Sequence, residues 1–185
     1  MKTGLLAQLE NMNCKRAKEV GMLALGTLTS VLIIPAVAGV RLNHSPSLPV
    51  GLYMVTSDRR ADLVEFCPTE PYASLAIQRG YRGEGSCPDR GAPLMKPVAA
   101  HPGDFVEISS HGFVVNGKAL PNSAPLNVDT NGRSLQHWPF GKYRVETGTV
   151  WVISSYNRRS FDSRYFGPVP TISIRGRVRP LLTLR

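Results

Sequence analysis

Gly112-Phe113-Val114-Val115-Asn116-Gly117-Lys118-Ala119-Leu120 sets aromatic and β-branched residues directly before an Asn-Gly pair. Asn-Gly is a strong signal for a two-residue hairpin turn, because both central positions need a positive φ. Two antiparallel strands folding back at 116–117 are therefore expected, with Asp104 to Ser109 beside them. Working outward, Val50 to Val55, Asp62 to Phe66 and Leu94 to Ala100 read as strands on the near side, and Lys142 to Glu146, Thr149 to Ser154 and Thr171 to Val178 on the far side. One short helix is expected over Tyr72 to Arg79, with Pro71 before it and Gly80 just past its end. A polar, Pro-containing stretch runs from Pro121 to Pro139. The reading is mainly β, and 17 Gly with 15 Pro agree with a turn-rich chain rather than a bundle or coiled coil.

The chain has 185 residues, enough for one compact domain and a short appendage. With 42% apolar and 19% charged residues it is globular, neither disordered nor a multi-spanning membrane protein. Its formal net charge of +9 would suit an anionic partner, yet the basic runs at Lys15, Arg16 and Lys18 and at Arg158 and Arg159 are not interleaved with stacking aromatics. No nucleic acid is expected as a partner.

From Val20 to Val40 there is no charged side chain, and at about 1.5 Å per helical residue this stretch matches a hydrocarbon core of roughly 30 Å. Lys15, Arg16 and Lys18 precede it, so the positive-inside rule keeps 1–19 cytoplasmic, makes 20–40 a transmembrane anchor or signal segment, and exports 41–185. Ala36-Val37-Ala38 has the small-x-small form of a cleavage site, so the sequence supports both a retained anchor and a removed signal. Export to an oxidising compartment lets Cys67 and Cys87 pair while Cys14 stays on the reduced side. No CxxC or HExxH is present, and His44, His101, His111 and His137 lack ligand spacing, so neither a metal nor another cofactor is expected.

Three stretches carry chemistry. In Asn43-His44-Ser45-Pro46-Ser47-Leu48-Pro49-Val50-Gly51-Leu52-Tyr53 two serines sit between prolines that fix φ, which makes a rigid candidate nucleophile. In Leu94-Met95-Lys96-Pro97-Val98-Ala99-Ala100-His101-Pro102-Gly103-Asp104 a lone lysine lies within an apolar strand. Desolvation there would bring its pKa from about 10.4 towards 7–8, leaving a neutral amine able to deprotonate a hydroxyl. In Ser160-Phe161-Asp162-Ser163-Arg164-Tyr165-Phe166-Gly167, an extended backbone would aim Ser160, Asp162 and Arg164 to one side, the last two as an ion pair.

Taken in this order, the three stretches resemble the signal peptidase family of Ser-Lys serine proteases, with boxes S-x-S-M-x-P, K-R-x-x-G-x-P-G-D and S-x-D-S-R. The details are closer to the conjugative-transfer (TraF-type) branch, given Ser45-Pro46-Ser47-Leu48-Pro49, Lys96-Pro97 with His101-Pro102-Gly103-Asp104, and Phe161-Asp162-Ser163-Arg164. Phe66-Cys67-Pro68 and Cys87-Pro88 look like that branch too. The resemblance implies a signal-peptidase-like antiparallel β-sheet catalytic domain. Within it Ser47 would be the nucleophile, Lys96 the general base, Ser45 the oxyanion-hole hydroxyl and Ser160 the hydroxyl that orients the lysine, with Asp162 and Arg164 in support. It further implies processing of an exported pilin precursor at the inner membrane, with the catalytic domain in the periplasm, and possible cyclisation of the product. Pro97 where leader peptidases carry Arg, and Ser155-Tyr156-Asn157-Arg158 in place of an acidic run, separate the chain from general leader peptidases. A general leader peptidase and a non-catalytic component of a pilus or secretion assembly are the alternative readings.

Overall fold

The computed structural model describes residues 39–184. The chain divides into two units at Arg41/Leu42, and the second, Leu42–Arg185, holds the folded β domain. The expected membrane segment, apart from Gly39 and Val40, lies outside the described residues together with Cys14 and the Ala36–Ala38 site. Among the described residues no helix is long and apolar enough to cross a membrane.

Seven strands form one sheet in the order β1 (Val40–Asn43), β2 (Gly51–Thr56), β11 (Ile174–Thr183), β3 (Leu63–Phe66), β4 (Leu94–Ala100), β9 (Thr149–Val152) and β10 (Val169–Pro170). A second sheet orders β7 (Lys118–Ala119), β6 (Gly112–Val115), β5 (Phe105–Ser109) and β8 (Gly141–Arg144). Every registered pair is antiparallel. The expected hairpin forms at Asn116 (φ 49°) and Gly117 (φ 81°), the positive pair a type I′ turn requires.

Several elements depart from the sequence reading at their ends: β8 stops at Arg144 rather than Glu146, and β11 runs on past Val178 to Thr183. Thr171–Ser173 is a 3-10 turn rather than the start of a strand, held by the Ser173 hydroxyl donating to the Pro170 carbonyl at 2.7 Å. Strand β9 stops at Val152, and the Ser154 N–H turns from the ladder to the Asp162 carboxylate at 3.0 Å.

Alternation places Leu94, Lys96, Val98 and Ala100 of β4 on its buried face. Leu94 and Val98 join Val64, Phe66, Val152, Phe161, Tyr165 and Phe166 in the main core, so the same pleat that builds the core carries the lysine into it. A second core joins Val106, Ile108 and Phe113 of the smaller sheet to Trp151 of β9 and to Ile153.

Between β3 and β4 the chain makes an excursion closed by the Cys67–Cys87 disulfide, whose Cα atoms are 5.7 Å apart. It contains helix α1 (Tyr72–Gln78), which buries Ala73 and Ala76 and ends at Gly80, where φ is 70°. A second helix, α2 (Ser163–Phe166), follows β9.

Candidate active site

The turn that carries Ser45 and Ser47 is tied to the fold by groups on both sides of it. The Asn43 amide donates to the carbonyls of Ser45, Leu48 and Pro49 at 3.0, 3.3 and 3.1 Å, which closes the turn on itself. The Tyr53 hydroxyl donates to the Pro49 carbonyl at 2.8 Å, and the Asn157 amide to the Pro46 carbonyl at 3.2 Å. The Ser154 hydroxyl donates to the carbonyl of Ser47 itself. With prolines at 46 and 49 and these carbonyls engaged, Ser47 is held by both φ restriction and hydrogen bonds.

Ser47 is 7% exposed. Its N–H donates to the Ser45 hydroxyl oxygen at 3.4 Å, and the Ser45 hydroxyl donates to Ser47 Oγ at 3.2 Å. One main-chain donor and one hydroxyl thus converge beside Oγ, the donor types that stabilise an oxyanion.

Lys96 lies opposite Val64 of β3 and is 3% exposed. Burial lowers its pKa to about 8, while the Asp162 charge pulls it up and the Arg164 charge pushes it down. Ser45, Ser47 and Lys96 all line one cavity of about 210 Å³, with Leu94, Leu126, Leu135 and Phe161 among its apolar walls.

The third stretch differs from the extended segment expected of it. Asp162 is the N-cap of helix α2, its carboxylate accepting from the Arg164 N–H at 3.3 Å, and the turn ends at Gly167, where φ is 73°. An aspartate two residues before the first free helical N–H satisfies that donor, which favours a turn over continued extension. Asp162 and Arg164 consequently meet through the turn rather than by strand alternation. Nor are they a surface pair: both side chains are fully buried, with Nε and Nη2 of Arg164 each 2.8 Å from a carboxylate oxygen. Burial alone would lower the Arg164 pKa, and the Asp162 carboxylate outweighs it, so the guanidinium is held charged.

Ser160 is 2% exposed. Its carbonyl accepts from Arg164 Nη2 at 2.9 Å, and its buried hydroxyl has no hydrogen-bond partner among the described residues. An unsatisfied buried hydroxyl is costly unless a reacting group or water uses it.

Sequence reasoning missed Asn43, Ser154, Asn157 and Ser163, the last of which accepts from the Val152 N–H at 2.9 Å and locks α2 to β9. Asn43 had a signal, since an Asn two residues before a Ser-Pro turn commonly bonds its own backbone. Ser154 had none, because its partner Ser47 is 107 residues away. Among the described residues no cluster of three or more His, Cys, Asp or Glu side chains is placed to hold a metal ion.

The family model described as "Signal peptidase, peptidase S26" matches residues 17–182. A plasmid transfer protein TraF of Escherichia coli is 38% identical over 165 residues, 86% of this chain and 93% of that protein. A conjugal transfer protein TraF of Agrobacterium fabrum (strain C58 / ATCC 33970) is 37% identical over 161 residues, 84% of this chain and 89% of that one. A signal peptidase I from Enterococcus faecalis V583, known as a crystal structure, is 21% identical with a TM-score of 0.36, over 66% of this chain and 97% of that one. A match that starts before the first strand and runs into the last residues of β11 embraces every element of the site, and the chain belongs to the signal peptidase, peptidase S26 family.

Proposed function

We propose that this chain is a serine endopeptidase in which Ser47 attacks and Lys96 acts as general base. The observation that carries the reading is the shared cavity: a rigid serine and a buried lysine with a pKa of about 8 line the same small cleft. At pH 7 such an amine is neutral in about a tenth of molecules, against about 0.03% at the ordinary lysine value, which raises the population of competent base roughly 300-fold.

In this mechanism the neutral Lys96 amine takes the Ser47 hydroxyl proton as Oγ bonds to the scissile carbonyl carbon. The resulting oxyanion is held by the Ser47 N–H and the Ser45 hydroxyl, which gives up its ground-state bond to Oγ. The Lys96 ammonium then returns its proton to the departing amine, leaving an acyl group on Ser47 and a neutral lysine. Water, or a peptide amine held in its place, attacks the acyl-serine with Lys96 again taking the proton, and the Lys96 ammonium returns it to Ser47 Oγ as the bond between Oγ and the acyl carbon breaks. Attack by water gives a linear product, and attack by the amine of the same chain gives a cyclic one. In this mechanism the Ser160 hydroxyl, which has no partner among the described residues, is the group that turns to the Lys96 amine and orients it, with the buried Asp162–Arg164 pair fixing that wall.

The names of the relatives, plasmid transfer and conjugal transfer proteins, support a place in conjugation. The resemblance of the three site stretches to the conjugative-transfer branch supports an exported pilin precursor as substrate. The disulfide and the uncharged run before the domain support work at the exported face of the inner membrane, in the periplasm.

The test is processing of a co-expressed pilin precursor, read by intact mass, with wild type, Ser47→Ala and Lys96→Ala at equal abundance. Both variants are expected to abolish processing, and a product one water lighter than the linear peptide identifies cyclisation. Unchanged processing by both variants overturns the peptidase reading.

A further inference from the structure

A second cavity, of about 860 Å³, adjoins the cleft that holds Ser47 and Lys96 and shares Leu135 and Phe161 with it. One wall is helix α1, through Tyr72, Leu75 and Gln78, and the other is the segment 134–139, through Gln136 and Trp138. The walls are fastened to each other. Arg79 Nη1 donates to the Ser134 carbonyl at 2.7 Å, Arg133 Nη2 to the Arg79 carbonyl at 2.9 Å, and the Tyr81 hydroxyl to the Asp129 carboxylate at 2.6 Å. The disulfide closes the excursion that carries α1, so the groove is a preformed feature of the domain rather than a gap between loose loops.

Chemistry and continuity specify the occupant. The groove has no Asp or Glu in its lining, Arg79 is committed to the opposite wall, and apart from the His137 ring, which stacks on Phe140 at 4.0 Å, the rest is aromatic, aliphatic or uncharged polar. Residues 135–139 belong to no strand, and the N–H groups of Leu135 and Trp138 already donate to the carbonyls of Asn127 and Arg164 at 2.8 Å, so this wall is fixed and presents side chains to an occupant. A polypeptide bound across Ser47 that continues past Leu135 and Phe161 enters this space directly. We infer that the groove is an exosite for the substrate polypeptide itself, taking a neutral, apolar or aromatic segment beyond the residues that flank the scissile bond. The inference rests on the peptidase reading above and adds the class of substrate segment that gives selectivity.

Gln78 and Gln136 are exposed, one on each wall, so Gln78→Trp and Gln136→Trp fill the groove without touching the core. The probes are the full-length pilin precursor and a ten-residue peptide centred on the bond cleaved in it. In wild type the exosite makes kcat/KM higher for the precursor than for the peptide. In each variant, checked for unchanged thermal unfolding, the precursor-to-peptide ratio is expected to fall about tenfold, through KM for the precursor. In a Ser47→Ala background, a benzophenone amino acid at position 136 is expected to cross-link to the precursor and not to the ten-residue peptide. A ratio unmoved by both variants, or cross-linking to neither probe, overturns the exosite while leaving cleavage to stand. A precursor left uncleaved by wild type overturns the peptidase reading and the exosite with it.

Discussion

The guanidinium of Arg164 and the carboxylate of Asp162 meet in two contacts of 2.8 Å with neither side chain exposed. The remaining arginine nitrogen donates to the carbonyls of Asn122 and Arg158 at 3.1 and 2.9 Å, so one buried cation gathers two loops behind the lysine. A buried pair gains little net stability over an apolar substitute, yet removing one partner strands a charge in the core. Arg164→Met is therefore expected to lower the unfolding free energy by about 3–5 kcal/mol. Urea denaturation reads this directly, and a loss below about 1 kcal/mol, the range of exposed pairs, would count against a buried role.

The same pair tunes the pKa of Lys96, and with it the pH at which the proposed peptidase is expected to work. Burial dominates the lowering of the Lys96 pKa; the Asp162 charge opposes it and the Arg164 charge adds to it. Asp162→Asn keeps the shape of the side chain and removes only the attraction. The acidic limb of the kcat/KM profile, expected near pH 8 in wild type, should then move to lower pH in whatever fraction stays folded. A limb that moves to higher pH, or a wild-type rate flat from about pH 5 to 9, would remove Lys96 as the base.

Lys96 also burdens the fold. Its folded pKa of about 8 lies below the ordinary value of 10.5, so between those limits the unfolded chain binds more protons than the native one. Stability from this group therefore rises with pH through that window, and below pH 8 the fold carries a cost of roughly 3 kcal/mol. Lys96→Met fills the same space without charge. It should be inactive yet more stable than wild type at pH 7, with the difference shrinking as pH rises from about 8 towards 10.5. A variant less stable than wild type at pH 7 would contradict the cost.

Much of this was legible because local chemistry agreed with the fold. Asn116-Gly117 asks for positive φ and receives it, Pro71 and Gly80 bracket their helix, and β4 runs over the residues its alternation predicts. Lys96 was visible because a charge in an apolar strand has no local reason to be there. The strand ends were less legible, since Ser154 leaves its ladder for a carboxylate that periodicity does not record. Asp162 misled in the same way. Alternation treats it as one residue of an extended run, whereas its side chain competes for the Arg164 N–H and turns the chain. What remained hidden was contact at long range: nothing near Ser154 in sequence points to Ser47, and nothing in the polar stretch after Pro121 points to a wall of the site.

Gly167 tests how tightly that turn is held. Its φ of 73° is strained for any other residue, and an added Cβ would lie 2.5 Å from the Trp138 ring. The Trp138 main chain is itself fixed, its backbone N–H donating to the Arg164 carbonyl at 2.8 Å, and its ring packs edge-on against Trp151, so it has little room to withdraw. Gly167→Ala is expected to cost about 2–4 kcal/mol and to lower activity by disturbing α2, whereas Trp138→Leu in the same chain should restore part of the loss by opening space. Thermal unfolding of the single and double variants decides the matter, and strictly additive losses would show that the clash is not what Gly167 avoids.

Ser154 is where the two halves of the site are joined, because its N–H binds Asp162 and its hydroxyl binds the carbonyl of Ser47. It is fully buried, so Ser154→Ala leaves the Ser47 carbonyl without that donor and no water to replace it. The direct cost is about 1–3 kcal/mol, and it falls on the turn that aims Oγ and its N–H at the substrate carbonyl. Substrate contacts elsewhere in the cleft are untouched. A loosened nucleophile loses alignment in the transition state more than binding in the ground state, so kcat should drop roughly tenfold or more with KM little changed. The acidic limb should stay where it is, since Ser154 brings no charge to Lys96. Steady-state kinetics across pH on the cleaved precursor separate the outcomes: a rise in KM alone, or a moved limb, would mean that Ser154 serves the cleft in some way other than by holding Ser47.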